Sequence, residues 1–415
     1  MKIELHLLQN FAPSNLNRDD TGAPKDCEFG GHRRARISSQ CQKRAVREAF
    51  RLEKLVPEDQ LGARTKRLAH QVARQLVDTH GHDRDAALAL AMGAIEGVGL
   101  GRNKKGMGDD AWKTEYLLFI PRRLVTELAQ VLHDNRVELA GLAADAATAP
   151  ADGGEAAGGK KQKKETKKDA KKEAKAAYPK EIQKRVEELL EGARNTVDLA
   201  LFGRMIADKP VWNVEASCQV AQAISTNRVQ MDFDFFTAVD DFKPGDTAGS
   251  DMMGTIQFNS SCFYRYAVLN VDALRSNIDG EKQEVGALVE QSLEAFVRAF
   301  VTAIPTGKQN SMAAHNFPSY ALAIVRDGGP SISLTNAFLK PARPRGDDKD
   351  LVDDSIEKLE GYLSRVRDAM GDGGKRALLV TWADRDLPTA TGLARSTGLE
   401  NFYAEVKKRA VGGPS

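Results

Sequence analysis

The chain has 415 residues, of which 41% are hydrophobic, and its 60 lysines and arginines nearly balance its 58 aspartates and glutamates. A chain of this length can bury a substantial core, as one large domain with insertions or as two smaller domains. The formal net charge of only +2 excludes a protein that binds nucleic acid through a uniformly basic surface. Because the basic residues are concentrated in two segments, we predict a local binding track for a polyanion.

No stretch approaches the roughly 18 apolar residues of a membrane span, and the N-terminal segment lacks the apolar region of a signal peptide. We therefore expect a cytoplasmic protein with no membrane partner. The four cysteines form no CxxC pair, and the histidines show no zinc-binding spacing. Neither a disulfide framework, a metal nor another cofactor is expected.

Ile3, Leu5 and Leu7 alternate with polar residues, which predicts a first β-strand with one buried face. A basic segment follows, residues 15–47, in which lysines and arginines outnumber acids. Its last part predicts a helix that Ser38 or Ser39 caps, with basic residues on one outward stripe. The predicted order is strand, basic loop, helix.

The basic segment has the residue types that hold phosphates. Its glycines allow close backbone approach, its helix start offers amide donors, and its cations supply charge. A solvated charged loop is the alternative interpretation. The residues that we expect to bind are Lys25, Arg33, Arg34, Lys43 and Arg47, together with Gly30, Gly31 and the helix start at Ser38 to Gln40.

Three helical patterns near 64–79, 85–97 and 122–133 follow without a strand that would continue the sheet. They predict a helical insertion. From 144 to 178 the chain is rich in alanine, glycine and lysine, which is typical of a flexible segment or a solvated helix. Its charge would otherwise attract duplex DNA without sequence preference, through Lys163, Lys164, Lys167, Lys168, Lys171 and Lys172.

A helix resumes at Pro179 and ends near Gly203, Arg204 and Met205, where glycine is most simply a C-cap and methionine a core residue. Strand patterns at 214–220 and 262–268 flank a long excursion, which predicts a projecting β-hairpin. Its apolar residues Phe235, Phe236 and Val239 suit insertion between stacked bases, or else form an ordinary hairpin core.

A helix near 285–300 and a strand near 320–325 complete a β-α-β-β-α-β order. This is the ferredoxin-like arrangement that RNA-recognition (RRM-like) domains use, so the predicted fold class is α+β. Helices near 351–370 and 399–409, with a strand near 377–382, are expected to pack around that sheet.

Three carboxylates beside the basic segment raise the question of catalysis. Asp19, Asp20 and Asp26 are candidate magnesium ligands for RNA cleavage, with His6 or His32 as a general base. A turn and salt-bridge role explains the same residues. No second acidic or histidine cluster is evident in the sequence, so we expect no catalytic residues.

Several motifs together resemble the CasC family, the crRNA-binding backbone subunits of the type I-E CRISPR Cascade complex. The resemblance covers the chain to about residue 340. It implies an RRM-like palm, helical fingers and a β-hairpin thumb, in subunits that polymerise along one guide RNA. The motifs, in order, are SNLNRDD, FGG followed by RR, RISSQ, KRA, GRM, DFFTAVDD, FYRY and the SxxNAF motif at 333–338.

The resemblance also implies domain limits: palm at 1–57, fingers at 58–200 including 144–178, a palm strand at 201–225, thumb at 226–260, and palm with C-terminal helices at 261–415. It places Asn17, Arg18, Lys25, Ser38, Gln40, Lys43, Arg47 and Arg204 along the guide, with Met205 wedging a base and Phe235, Phe236 and Val239 beside a displaced base. His32 stands where the family has lysine, so that contact is expected to be weaker or pH-dependent.

The partners that the resemblance implies are crRNA, target DNA, neighbouring copies of the chain and the other Cascade subunits. These subunits are the large subunit, the small subunits, the 5′-end capping subunit and the repeat-cleaving endonuclease. Two alternatives stay open. One is a metal-dependent ribonuclease subunit of a related CRISPR effector that cleaves target RNA, and the other is a stand-alone RRM-like RNA-binding protein.

Overall fold

The structure is a computed structural model. It describes residues 1–103, 106–139, 179–192, 195–206, 209–238, 241, 252–278, 280–346, 348–370, 378–385 and 393–412. The chain divides into two compact units. The first unit comprises Met1–Leu55, Ser217–Arg275 and Gly286–Ser415, and the second comprises Val56–Ala216 and Ser276–Val285. Val239 and the segment predicted as flexible at 144–178, with the six lysines named above as DNA contacts, lie outside the described residues.

The strands are β1 (Lys2–Ser14), β2 (Asp26–Phe29), β3 (His32–Ile37), β4 (Gly62–Thr65), β5 (Leu118–Pro121), β6 (Cys218–Val220), β7 (Ala223–Ser225), β8 (Asp232–Ala238), β9 (Met252–Asn270), β10 (Tyr320–Arg326), β11 (Leu378–Ala383) and β12 (Ala394–Arg395). The α-helices are α1 (Ser39–Leu52), α2 (Leu68–His80), α3 (Arg84–Gly97), α4 (Leu124–Asp134), α5 (Lys180–Glu191), α6 (Val197–Phe202), α7 (Val271–Ser276), α8 (Lys282–Thr302), α9 (Gln309–Met312), α10 (Leu351–Met370) and α11 (Leu399–Val411). None of these helices has the length and hydrophobicity of a transmembrane span.

The first unit is built on one large sheet in the order β12-β11-β10-β1-β9-β7-β3-β2, and β6 and β8 also pair with β9. Strand β1 lies at its centre and pairs antiparallel with β10 and with β9. The segments β1, α1, β6, β9, α8 and β10 follow one another in the predicted β-α-β-β-α-β order. Their strands lie side by side as β10-β1-β9-β6, all antiparallel. The α+β class is therefore confirmed.

Three details of the sheet differ from the sequence prediction. The strand expected at 214–220 is only β6, because Val214 pairs with Arg204 in an isolated bridge. The basic segment, expected to be a loop, contains the β2–β3 hairpin, and β3 joins the main sheet through β7. Strand β11 extends the sheet beside β10 instead of only packing on it.

Both faces of β1 are buried, although the alternation of the sequence predicted one buried face. Ile3, Leu5 and Leu7 have no exposed surface, and neither do the polar residues Glu4 and His6 between them. The second face belongs to an apolar cluster with Tyr264, Phe338 and the inner residues of α10. Because Arg326 and the Tyr266 hydroxyl contact the Glu4 carboxylate, its burial is compensated.

The second unit is mainly helical. Apolar residues of α2, α3, α4 and α5 form its core, including Leu76, Ile95, Leu128 and Val186. Helix α2 ends at Gly81, whose left-handed φ of 68° allows the chain to turn into α3. Strands β4 and β5 form a separate two-stranded sheet, which the sequence did not predict.

Candidate nucleic-acid interface

A tight turn opens the basic segment. One carboxylate oxygen of Asp19 accepts hydrogen bonds from the Thr21 amide (2.9 Å), the Thr21 hydroxyl (2.8 Å) and the Ala23 amide (3.0 Å). These donors hold the pKa of Asp19 below its usual range, with the Thr21 hydroxyl as the largest cause. Asp19 thus shapes the turn, as the turn interpretation predicted.

The β2–β3 hairpin turns at Gly30 and Gly31, whose φ angles are 61° and 72°. A Cβ atom at Gly30 would lie 2.5 Å from the Leu339 carbonyl oxygen, whereas one at Gly31 would have no neighbour within 4 Å. The close approach at Gly30 is therefore to the chain's own backbone, and only Gly31 is open to a ligand as predicted.

The sequence predicted that Arg34 binds phosphate, and the structure contradicts this prediction. Its side chain has no exposed surface. The guanidinium donates to the carbonyl oxygens of Thr226 (2.6 Å), Phe338 (2.6 Å) and Ser225 (3.1 Å), with longer contacts to Phe29 and Leu339. Because these carbonyls use its donors, Arg34 is a structural residue. Its neighbour Arg33 is exposed and forms an ion pair with Asp26.

The start of α1 is fixed by two side chains from the predicted set. The Ser38 hydroxyl accepts from the Cys41 amide (3.2 Å), and the Ser38 amide donates to Asn17 Oδ1 (2.8 Å). Ser38 is buried in this cap, so its part in the interface is to orient the helix. The Gln40 side chain beside it is exposed.

Three cations of the basic segment are available to a ligand. No described residue forms an ion pair with Arg18, Lys25 or Lys43. Lys43 lies one helical turn before Arg47, and both side chains are half-buried on α1. Arg44 adds a charge that is paired with Glu48 at 2.9 Å, a surface contact of little energetic weight.

Of these cations, Arg18 and Arg44 line a cleft of about 500 Å³, together with Asn17 and residues 305–307, among others. Gly307 packs so closely on the Leu16 carbonyl that a Cβ atom would clash there. The next residue, Lys308, has a left-handed φ of 52° and no ion-pair partner among the described residues. In the sequence, Pro305 and Gly307 indicated only the end of a helix and not the lining of a cleft. The sequence analysis did not identify Lys308 as a candidate residue.

The predicted residues Arg204 and Met205 belong to the second unit. Arg204 is 5% exposed and donates from Nε to the Trp212 carbonyl oxygen at 2.9 Å, so it braces its loop and does not offer a phosphate contact. Met205 is 83% exposed. An exposed methionine on a braced loop is available for contact with a base, whereas a core role is excluded.

Strands β8 and β9 form the predicted hairpin, pairing from Asp232 opposite Phe258 to Ala238 opposite Met252. Alternation places Phe235, 62% exposed, on the face that also carries Phe233 and Met253. Phe236 lies on the opposite face, where its ring covers Gly254. The two phenylalanines therefore cannot contact one base together, contrary to the joint role that we predicted.

The candidate general bases differ in access. His6 is buried, its Nδ1 shares a hydrogen bond of 2.8 Å with the Tyr264 hydroxyl, and burial lowers its pKa to about 3. It cannot reach a substrate. His32 is half-buried at the hairpin tip. Among the described residues, no three His, Cys, Asp or Glu side chains are grouped as a metal ion requires.

The first unit thus carries exposed and half-buried cations of the basic segment on an α+β fold. A family model described as "CT1975-like protein" matches residues 3–404, and the chain belongs to this family. No curated protein sequence matches it.

Two solved structures are similar to this chain over nearly its whole length. A chain described as "CRISPR RNA-guided surveillance complex, pre-nicking" is similar with a TM-score of 0.80 and 29% identity, over 99% of this chain and all of the other. A second, described as "CRISPR RNA-guided surveillance complex", has a TM-score of 0.70 and 24% identity over both full chains, and shows the fold alone. The chain is thus structurally similar to subunits of CRISPR surveillance complexes.

Proposed function

We propose that this chain is a non-catalytic, CasC-like backbone subunit of a type I-E Cascade complex. It polymerises along crRNA, holds the phosphates of the guide and displaces bases at regular intervals, so that the guide pairs with target DNA. The observation that carries this proposal is a set of cations, Arg18, Lys25 and Lys43, that form no ion pair with a described residue, on a basic segment fixed by its own hydrogen bonds. The similarity to a surveillance-complex chain over 99% of the length supports it.

The mechanism is electrostatic. Cations and helix-start amides bind phosphates and read the backbone of the guide with little base preference. Sequence specificity belongs to the pairing between guide and target. A head-to-tail contact between copies that does not close gives an open filament, which suits a repeating subunit on a linear RNA.

In this proposal the first unit is the RRM-like palm, the β8–β9 hairpin is the thumb, and the second unit supplies the fingers. Met205 wedges a base, and Phe235 lies beside the displaced one. The other Cascade subunits and target DNA are the remaining partners, and the complex acts in the cytoplasm.

Two carboxylates support a non-catalytic role over the ribonuclease alternative. Asp19 accepts three hydrogen bonds within its turn, and Asp26 pairs with Arg33. Both are therefore engaged in structure. Glu48, which also lines the cleft, pairs with Arg44, so Asp20 is the one carboxylate among the described lining residues without an ion-pair or hydrogen-bond partner. One such carboxylate does not make the paired site that metal-assisted phosphodiester cleavage uses.

Co-expression of the chain with a CRISPR array tests the proposal. We expect RNA-bound particles whose mass increases in steps as the guide is lengthened. A persistent monomer without RNA would contradict the filament and favour a stand-alone protein. Incubation of the particles with complementary RNA and magnesium tests the ribonuclease alternative, since regularly spaced cuts that disappear in Asp26→Ala would establish it.

A further inference from the structure

The root of the β8–β9 hairpin is not held by a regular strand ladder. Ser225 pairs with Phe263, and the next paired residue on that side, Asp232, lies opposite Phe258. Between these two pairs the ladder is interrupted. Single hydrogen bonds hold residues 226–231 there, from the Thr226 amide to the Cys262 carbonyl oxygen (2.7 Å), from the Cys262 amide to Asn227 Oδ1 (3.2 Å) and from the Val229 amide to the Arg33 carbonyl oxygen (3.0 Å). An interrupted ladder leaves the direction of a hairpin to other contacts.

Two buried side chains of the basic segment supply such contacts, one to the β9 arm and one to the segment that leads into β8. Asn15 has no exposed surface, and its Nδ2 donates to the Gly22 carbonyl oxygen in the Asp19 turn and to the Gln257 carbonyl oxygen on β9, both at 3.0 Å. Arg34 donates to the carbonyl oxygens of Ser225, the last residue of β7, and Thr226, from which the chain leads into β8. The Asp19 turn, which follows Arg18, is therefore tied to the β9 arm. The β2–β3 hairpin, which follows Lys25, is tied to the segment that leads into β8.

We propose that Asn15 and Arg34 are positioning residues that set the direction of the β8–β9 hairpin relative to the basic segment. They couple the two, so that a polyribonucleotide bound at the basic segment also orders the hairpin. The coupling to RNA rests on the proposed function, whereas the positioning itself does not. Neither side chain touches the ligand, since both are buried.

The chemistry of both residues fits this role. Arg34 places a buried guanidinium among carbonyl oxygens, and no carboxylate among the described residues pairs with it. A buried charge is costly unless its donors are satisfied, so the guanidinium holds the root and the Phe338 segment at fixed distances. Asn15 holds the β9 arm against the Asp19 turn, because its one amide group donates to a carbonyl oxygen on each.

Hydrogen–deuterium exchange of the full chain tests the positioning. In Asn15→Ala, and separately in Arg34→Lys, amides of 232–238 and 252–258 should exchange about tenfold faster or more, with β1 and β10 unchanged. Arg33→Gln is the matched control for Arg34→Lys, because it removes the neighbouring exposed cation and should leave hairpin exchange as in wild type. Phe402→Leu in α11 serves as a general destabilisation control.

Hairpin exchange equal to wild type in both variants would overturn the proposal. An increase spread equally over β1, β10 and the hairpin, as in Phe402→Leu, would overturn it too. A second arm adds single-stranded oligouridylate, which should slow hairpin exchange in wild type but not in Asn15→Ala. Slowing of equal size in both would refute the coupling. If the wild-type chain binds no RNA, the proposed function fails. The exchange rates of the RNA-free chains still test whether Asn15 and Arg34 position the hairpin.

Discussion

Lys43 and Arg47 lie one turn apart in the first nine residues of α1, the helix that Ser38 caps, and both side chains are half-buried. If they hold phosphates, then reversing their sign should remove attraction and add repulsion, with little change in packing.

Lys43→Glu combined with Arg47→Glu should weaken retention of guide RNA by about tenfold or more near physiological salt. The melting temperature should change by no more than about 3 °C, because neither residue is in the core. The measurement is the RNA content of purified particles. Lys408→Glu with Arg409→Glu on α11 makes the same charge change and should retain the guide, and a sharp loss of thermal stability in the α1 variant would make its residues structural.

The buried His6 predicts an acid dependence of stability. Its pKa of about 3 in the folded chain lies below the usual 6.5, so the unfolded chain binds the proton first as pH falls. Stability from this group is present above about pH 6.5 and decreases towards pH 3, by about 1.4 kcal/mol per pH unit. Denaturant unfolding between pH 7 and pH 4 should show a steeper loss in wild type than in His6→Gln. Parallel curves would refute the assignment.

At the residue scale, the sequence identified the chemistry but not the burial of each cation. Lys25 and Arg34 look alike in a basic segment. Arg34 is buried because residues 225–226 and 338–339, distant in sequence, fold over it. Such long-range contacts leave no local pattern, so the sequence could not separate a phosphate ligand from a structural arginine.

The β2–β3 hairpin is the element that places the basic segment against the rest of the first unit. Its turn consists of two glycines between Phe29 and His32, a length and composition typical of a two-residue hairpin loop. That signal could have predicted the hairpin. The charged residues of both strands obscured the alternation that identified β1, β9 and β10.

Gly30→Ala and Gly31→Ala form a matched pair that isolates one contact. Both substitutions bear the cost of left-handed backbone, about 1 kcal/mol or more. Only Gly30→Ala also places a methyl group against the Leu339 carbonyl, so it should be less stable than Gly31→Ala by a further 1 to 3 kcal/mol, roughly. Denaturant unfolding measures both, and equal losses would show that the two segments do not touch.

The two faces of the β8–β9 hairpin predict different consequences for its phenylalanines. Removing Phe235 and Phe236 together should weaken target-DNA binding more than guide retention. Phe235→Ala alone should leave stability nearly unchanged, whereas Phe236→Ala exposes Gly254 and should destabilise the hairpin by about 1 to 3 kcal/mol. Target and guide binding are measured on assembled particles. Equal loss of both ligands in Phe235→Ala would mean that this face only packs.

At the scale of the whole molecule, the periodicity of apolar residues was sufficient to predict the β-α-β-β-α-β order and a helical insertion. It missed the β4–β5 sheet, because four-residue strands are too short to show a period. The sequence also could not show that residues 305–307 line the cleft, since that depends on the packing of Gly307 against Leu16.

The lysine-rich segment predicts a separate contribution to DNA binding. Replacing Lys163, Lys164, Lys167, Lys168, Lys171 and Lys172 with glutamine shifts the formal net charge from +2 to −4. Affinity for duplex DNA should fall, and its dependence on salt should become shallower, while guide retention stays constant. Ala156→Gln with Ala157→Gln is the uncharged control in the same segment. Unaltered DNA affinity at low and high salt would identify the segment as a linker.

Strand β1 is made first, yet both of its neighbours come from the far end of the chain, since Lys2 pairs with Asn270 and with Arg326. During translation at about 5 to 20 residues per second, a nascent chain has no partner for this apolar strand for about 15 to 60 s. We expect it to be shielded by the ribosome or by chaperones during that interval. When synthesis is slowed in a translation system without chaperones, a larger fraction of the chain should aggregate and the yield of soluble protein should fall.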